Sequence, residues 1–76
     1  MWYFDSSIGR LYIKKLHNGR YGFIFGADDT VWEASSSPKG EADNIYVHVT
    51  GCSKWDSSNA EAPTELSGWI QVPDPH

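Results

Sequence analysis

Aromatic rings recur at every second position in one short segment, and this spacing could serve binding chemistry. Tyr21, Phe23 and Phe25 follow the spacing, and Tyr46 and His48 repeat it. A β-strand would place each set of rings on one face, because successive side chains of a strand point to opposite faces. Exposed rings stack on flat ligands, and each stacked nucleic-acid base contributes about 1–3 kcal/mol. The same spacing also fits the core face of a small β-sheet, so both interpretations stay open at this point.

Cations accompany the first rings, although the chain as a whole is acidic. The formal net charge is −4, but residues 1–20 carry +3 and residues 21–76 carry −7. Local charge decides the attraction of phosphate groups, because salt screens charges beyond a Debye length of about 8–10 Å. Lys14, Lys15 and Arg20 are therefore candidate phosphate ligands. The alternative is a dipolar surface that only keeps the protein in solution.

Short strands separated by turn residues are the elements that must position these side chains. Leu11 and Ile13 alternate with non-aliphatic residues, which is typical of a strand with one buried face. Asn-Gly at 18–19 supplies the positive φ angles of a tight hairpin turn. Residues 1–5 are a short strand or a packed cap, and we predict further strands over residues 10–16, 20–25, 30–34 and 68–72. The hairpin would bring Tyr12 and Lys14 beside the rings of the following strand.

Residues 37–50 allow two interpretations. Ser37 and Pro38 followed by Glu41 are typical of a helix start, with proline at the first helical position and an acid in the first turn. The stretch from Asn44 to Thr50 instead has β-branched or aromatic residues at five of its seven positions, which favours a strand. We predict the strand and keep the helix as the alternative.

Two of these segments resemble a known family. Residues 19–24 read Gly-Arg-Tyr-Gly-Phe-Ile, and residues 44–49 read Asn-Ile-Tyr-Val-His-Val. They are similar to the two ribonucleoprotein motifs of the cold-shock domain, roughly Lys-Gly-Phe/Tyr-Gly-Phe-Ile and Asp-Val-Phe-Val-His-Phe. The resemblance implies a five-stranded OB-fold barrel that binds single-stranded RNA or DNA across strands two and three. It also implies that Tyr21, Phe23 and Tyr46 stack on bases.

Other positions extend this resemblance or depart from it. The resemblance implies that His48 stacks on a base or hydrogen-bonds to it. Lys14 stands where the family usually has an exposed tryptophan, so that a charge replaces a stacking ring. Trp32 lies in a longer stretch between the two motifs and is an added binding ring or a lid on the barrel. Residues 1–5, or a second chain, are expected to fill the place of the family's fifth strand.

Other kinds of chemistry find little support in the sequence. Cys52 is the single cysteine, so an intrachain disulfide is excluded. His48 and Cys52 are too few ligands for a zinc site, and no third group marks a nucleophile. The sequence shows neither an apolar run of ~20 residues nor the pattern of a signal peptide. We therefore predict a cytoplasmic protein without catalytic activity, cofactor, metal or membrane contact.

Together these observations predict one all-β domain over residues 1–76, a small OB-like, cold-shock-like antiparallel barrel. The alternative is an α+β fold with a three-stranded sheet and one helix at about 37–51. The predicted function is non-catalytic binding of single-stranded RNA or DNA, and the predicted contact residues are Lys14, Lys15, Arg20, Tyr21, Phe23, Phe25, Tyr46 and His48. The alternative function is a small acidic protein-interaction module or inhibitor, of the kind that phages encode, which would meet a basic protein partner.

Overall fold

The fold is an antiparallel five-stranded sheet with one face covered by a helix and the segments that flank it. The structure, a computed structural model, describes residues 1–26 and 30–73. Its strands are β1 (Trp2–Ser6), β2 (Gly9–Lys15), β3 (Tyr21–Phe25), β4 (Val31–Ser35) and β5 (Ile70–Gln71). Their order across the sheet is β4-β3-β2-β1-β5, and every neighbouring pair is antiparallel. The prediction of a small, strand-rich antiparallel fold is confirmed.

The sheet is open rather than closed. β4 and β5 are its two edges, so the described strands do not form the predicted barrel. β1 pairs with both β2 and β5, which makes residues 2–6 an interior strand and not a cap. The α+β alternative predicted a helix in the right place but a sheet with too few strands.

The turn between β2 and β3 sets the register of the central hairpin. Gly19 has a φ of +81°, a conformation that glycine reaches without steric cost. The Leu16 N–H donates to the Arg20 carbonyl oxygen at 2.7 Å. The resulting register pairs Ile13 with Phe23. The predicted hairpin is therefore confirmed, although of the Asn-Gly pair only Gly19 has a positive φ. The register of the hairpin decides which side chains share a face.

A helix occupies the contested segment, so the strand predicted for residues 44–50 is wrong. This helix, α1, spans Pro38–Tyr46, and the Ser37 side chain caps it by accepting a hydrogen bond from a backbone N–H of the first turn at 3.0 Å. Ala42 and Ile45 are fully buried on its inner side. The capping signal and the buried stripe outweigh the β-propensity of the later residues, because that propensity depends strongly on context.

The chain after α1 is held in place by side-chain hydrogen bonds. A single helical turn, α2 (Ser53–Asp56), begins soon after a tight bend. The Asp56 carboxylate accepts hydrogen bonds from the Thr50 N–H at 3.0 Å and from its hydroxyl at 2.7 Å. The fully buried Trp55 donates from Nε1 to the Ile45 carbonyl oxygen at 2.8 Å. These bonds attach α2 to the end of α1.

The hydrophobic core lies between one face of the sheet and the segments after β4. Its buried members are Leu11, Ile13, Phe23, Ala42, Ile45, Cys52, Trp55, Ala60, Ala62 and Trp69. Leu11, Ile13 and Phe23 share one face, because Ile13 is opposite Phe23 and Leu11 lies two positions before Ile13 on the same strand. We call this the covered face, since the rest of the cluster comes from α1, from α2 and from the segments that flank α2 and precede β5.

Candidate nucleic-acid interface

The rings predicted to form a stacking surface on β3 lie on the covered face. Tyr21, Phe23 and Phe25 are paired with Lys15, Ile13 and Leu11 respectively. Phe23 has no exposed surface, and the other two rings are partly buried against the core. The three rings therefore form the inside of the protein rather than a free surface. The physical reason is that α1 packs on this side of the hairpin, where the sequence motif predicted a ligand.

Tyr46 and His48 do not join those rings. Tyr46 is the last residue of α1 and is 45% exposed. The His48 ring stacks on Trp55 with centroids 4.6 Å apart, and its Nε2 lies 2.8 Å from the Ala60 carbonyl oxygen. His48 has a φ of +61°, so these two contacts hold a left-handed residue in the turn after α1. In this structure the imidazole supports the turn.

The three predicted cations are placed differently from one another. Lys14 is opposite Gly22 and therefore lies on the face away from α1. Lys15 is exposed and shares the covered face with the β3 rings. The Arg20 guanidinium is exposed and donates to the Ala34 carbonyl oxygen at 3.0 Å. Of the two lysines, which lie within the paired strands, only Lys14 is on the uncovered side of the sheet.

That opposite side of the sheet carries a continuous row of apolar and aromatic side chains, one from each strand. In register the row reads Ile70, Tyr3, Tyr12, Ile24 and Val31. Its end residues, Ile70 and Val31, are 51% and 42% exposed, its two tyrosines are half-buried, and Ile24 is only 9% exposed. We call the surface made by this row and its same-face neighbours the open face; these neighbours are Asp5, Arg10, Lys14, Leu16, Gly22 and Ala34. The helical segments pack on the other side, so the open face is accessible to a ligand.

Two cations flank Tyr12 along β2. Arg10 and Lys14 precede and follow it by two positions, and strand alternation puts all three side chains on the open face. The Arg10 guanidinium lies 4.3 Å from the centroid of the Tyr3 ring and forms an ion pair with Asp5, with Nε and Oδ1 2.6 Å apart. The hydrogen bond from Arg10 holds the pKa of Asp5 below its usual range, and the same bond raises the pKa of Arg10.

A glycine keeps the open face smooth next to Lys14. A Cβ atom at Gly22 would lie 2.8 Å from Val31 Cγ1 and 3.2 Å from both methyl carbons of Leu16. Such distances are shorter than van der Waals contact, so only glycine lets the Leu16 and Val31 side chains approach each other over β3. The part of the open face next to Lys14 is therefore formed by the apolar side chains of Leu16 and Val31.

The acidic residues are separated from this surface. Within residues 1–26 and 30–73, Asp5 is the one acid on the open face, and Arg10 neutralises it. The other acids of these ranges are Glu33, Glu41, Asp43, Asp56, Glu61 and Glu65. Glu33 is opposite the buried Phe23, on the covered face, and the rest follow β4 in the segments that cover it. The open face thus carries a small positive charge on an acidic protein.

Sequence reasoning identified part of this surface and missed the rest. It placed Tyr12 and Lys14 correctly on one face of β2, but it joined them to the β3 rings, which lie on the other face. Tyr3 and Arg10 were not among the predicted contact residues. A register count from the Asn-Gly turn, which pairs position 13 with position 23, would have separated the two faces from sequence alone.

Comparisons with known proteins add no family to this picture. No protein-family model matches the chain, and no curated protein or solved structure is significantly similar to it. The resemblance to the cold-shock domain therefore rests on the two motifs alone, and the second motif lies in α1 and the turn after it. Over the described part of the chain, no three or more His, Cys, Asp or Glu side chains are grouped to hold a metal ion. No helix there has the length and apolarity to cross a membrane.

Proposed function

We propose that this protein binds single-stranded RNA or DNA, without catalysis, on the open face of its sheet. One observation carries the proposal: the neighbouring Tyr3 and Tyr12 lie on an uncovered sheet face between Arg10 and Lys14. Stacking on an aromatic ring contributes about 1–3 kcal/mol per base and tolerates any base, because every base has a π-face. Lysine and arginine beside the rings bind the backbone phosphates.

The proposed binding mode assigns different tasks to the two tyrosines. Tyr12 offers its ring to a base, while Ile24, its partner across the β2–β3 pair, is only 9% exposed and supports the surface from below. Tyr3 already holds the Arg10 guanidinium over its ring at 4.3 Å, and a planar guanidinium on a ring is itself a surface on which bases stack. Lys14 lies on the other side of Tyr12 and meets a phosphate.

The test is a fluorescence titration with labelled oligo-dT and oligo-U at two salt concentrations. Tyr12→Leu removes the ring but keeps an apolar side chain next to Ile24, and we expect it to weaken binding by about 1 kcal/mol or more. Tyr46→Leu is the matched control, because this tyrosine is 45% exposed at the end of α1, and we expect it to leave the affinity unchanged. Folding of each variant is checked by urea unfolding.

Three results would contradict the proposal. The first is no binding at low salt by the folded wild-type protein. The second is an unchanged affinity in a folded Tyr12→Leu variant. The third is a loss of affinity in Tyr46→Leu as large as that in Tyr12→Leu, because it would place the ligand near the turn after α1.

A second candidate function is the binding of a basic protein segment at the turn after α1. The observation that favours it is the exposure of three apolar side chains, Tyr46 at the end of α1 at 45%, and Val47 and Val49 in the turn at 57% and 61%. Two acids lie near this turn: Asp43 is four residues before Val47, and the Asp56 carboxylate accepts a hydrogen bond from the Thr50 N–H. Its test is an NMR titration with a model peptide of alternating Leu and Lys, in which the methyl signals of Val47 and Val49 should shift if the turn is the contact.

A further inference from the structure

A carboxylic acid is fully buried where α1 packs on β4. Glu41 lies in the first turn of α1 and has no exposed surface. Neither of its carboxyl oxygens has a hydrogen-bond partner in the described part of the chain. An ionised carboxylate in such a place is strongly destabilising, because it loses its water without gaining a partner. The side chain therefore has to be neutral, or the helix has to move.

A second carboxyl group faces the same interface from the sheet. Glu33 of β4 is on the covered face, and its Oε1 accepts a hydrogen bond from Asn44 Nδ2 of α1 at 2.7 Å. The same amide nitrogen donates to Ser35 Oγ at 3.2 Å. Asn44 thus attaches α1 to β4 within one helical turn of Glu41. An ionised Glu41 would repel Glu33 at the contact that this amide holds together.

The surrounding charges do not remove the conflict. Burial raises the pKa of Glu41 to about 7, and the nearby Glu33 carboxyl adds to the rise. The Ser35 hydroxyl, which is near the Glu41 carboxyl but does not meet hydrogen-bond geometry, and the charge of Arg20 oppose the rise. The Arg20 guanidinium is exposed and already bonded to the Ala34 carbonyl oxygen. The other charged residues of α1, Lys39 and Asp43, are exposed and form an ion pair with each other, with Nζ and Oδ2 3.6 Å apart. No cation of the described residues forms an ion pair with Glu41.

We propose that the packing of α1 on β4 is a pH-sensitive contact, held when Glu41 is protonated and loosened when it ionises. Linkage between protonation and docking gives the direction of the pH effect. Because Glu41 binds its proton more tightly when α1 is docked, its full contribution to docking is present at pH values below the ordinary carboxyl pKa. That stabilisation is lost progressively as the pH rises from about 4.3 to about 7, and above this range no further loss from Glu41 is expected. The proposal is independent of nucleic-acid binding, because it concerns the covered side of the sheet.

The experiment combines a direct titration with amide hydrogen exchange of the whole protein. Carbon-detected NMR should show the Glu41 carboxyl titrating near neutrality. The opening constant of the α1 amides, corrected for intrinsic exchange, should rise on the order of 10- to 100-fold between pH 5 and pH 8. Glu41→Gln should abolish most of this rise. Asp43→Asn, which changes an exposed acid of the same helix, should keep it.

A second variant keeps the test decisive if Glu41→Gln does not fold. Glu33→Gln retains an amide oxygen that can accept from Asn44 but removes the facing charge, and it should lower the midpoint of the Glu41 titration. The proposal is overturned if Glu41 titrates in the range of an exposed carboxyl, near pH 4.3. It is equally overturned if protection of α1 does not depend on pH in the wild type, or if Asp43→Asn removes the dependence.

Discussion

Phe23 and Tyr12 are aromatic residues of neighbouring strands with opposite surroundings. Phe23 has no exposed surface and packs in the core with Ile13 and Ile45. Tyr12 is half-buried on the open face, between two cations of its own strand. A ring without solvent contact cannot stack on a base unless the core opens, whereas Tyr12 can. At the scale of single residues, Phe23 contributes to packing, and Tyr12 is available to bind a ligand.

The first prediction concerns Phe23→Leu. The substitution keeps an apolar side chain in the core but leaves a small cavity, so we expect the free energy of unfolding to fall by about 1–2 kcal/mol. Oligonucleotide affinity should not change, because the ring contacts no ligand. Urea unfolding and the fluorescence titration measure the two quantities in the same preparation. A clear loss of affinity in a folded variant would return Phe23 to the binding surface.

At the scale of elements, the β2–β3–β4 packing depends on a close approach over Gly22. The missing side chain lets Val31 Cγ1 come within 2.8 Å of the place where a Cβ would be, and both Cδ atoms of Leu16 come within 3.2 Å of it. β3 and β4 also change register between Phe23 and Ile24, at the position next to this glycine. The contact therefore fixes the edge strand against the hairpin.

The second prediction tests this contact with a double-mutant cycle. Gly22→Ala should destabilise the protein by about 1–2 kcal/mol, because the new methyl group overlaps Val31. Combining it with Val31→Ala should recover part of that loss, and Val31→Ala alone should cost little, since Val31 is 42% exposed. Urea unfolding of the four proteins gives the coupling energy. Additive effects without recovery would mean that the strain lies elsewhere.

Local signals in the sequence were sufficient for several elements. The Asn-Gly pair predicts the β2–β3 hairpin, and the alternation around Leu11 and Ile13 predicts its buried face. Residues 44–50 were assigned wrongly, because β-branched residues after a capped helix start can be accommodated at the helix end and in the turn that follows. The face that a ring occupies depends on which side α1 covers, and that is a long-range property that spacing alone does not contain.

At the scale of the whole molecule, charge is divided between the two sides of the sheet. The acids that follow β4 lie in or beside the segments of the covered side, while Arg10 and Lys14 belong to the open face. The uneven distribution was visible in the sequence as +3 over residues 1–20 and −7 over the remainder. Assigning it to surfaces required the sheet order, because only the register shows which cations share a face with free rings.

The third prediction concerns the salt dependence of binding. Each phosphate contact to a single strand contributes about −0.7 to the slope of log K against log salt concentration. Lys14→Gln should therefore weaken oligo-dT and oligo-U binding at low salt and reduce the slope by about 0.7. Lys54→Gln, which removes an exposed lysine of α2, should leave both unchanged. Equal effects of the two variants would indicate attraction by overall charge rather than by the open face.

The most direct test of the account is an NMR map of the ligand's position. Wild-type protein labelled on aromatic rings and methyl groups is titrated with oligo-dT and oligo-U at low salt. We expect the largest shifts at the rings of Tyr3 and Tyr12 and at the methyl groups of Ile24, with the signals of Ala42 and Ile45 unchanged. Shifts confined to Tyr46 and Val49, or no shifts in a folded protein, would contradict the central claim that the open face is a nucleic-acid binding surface.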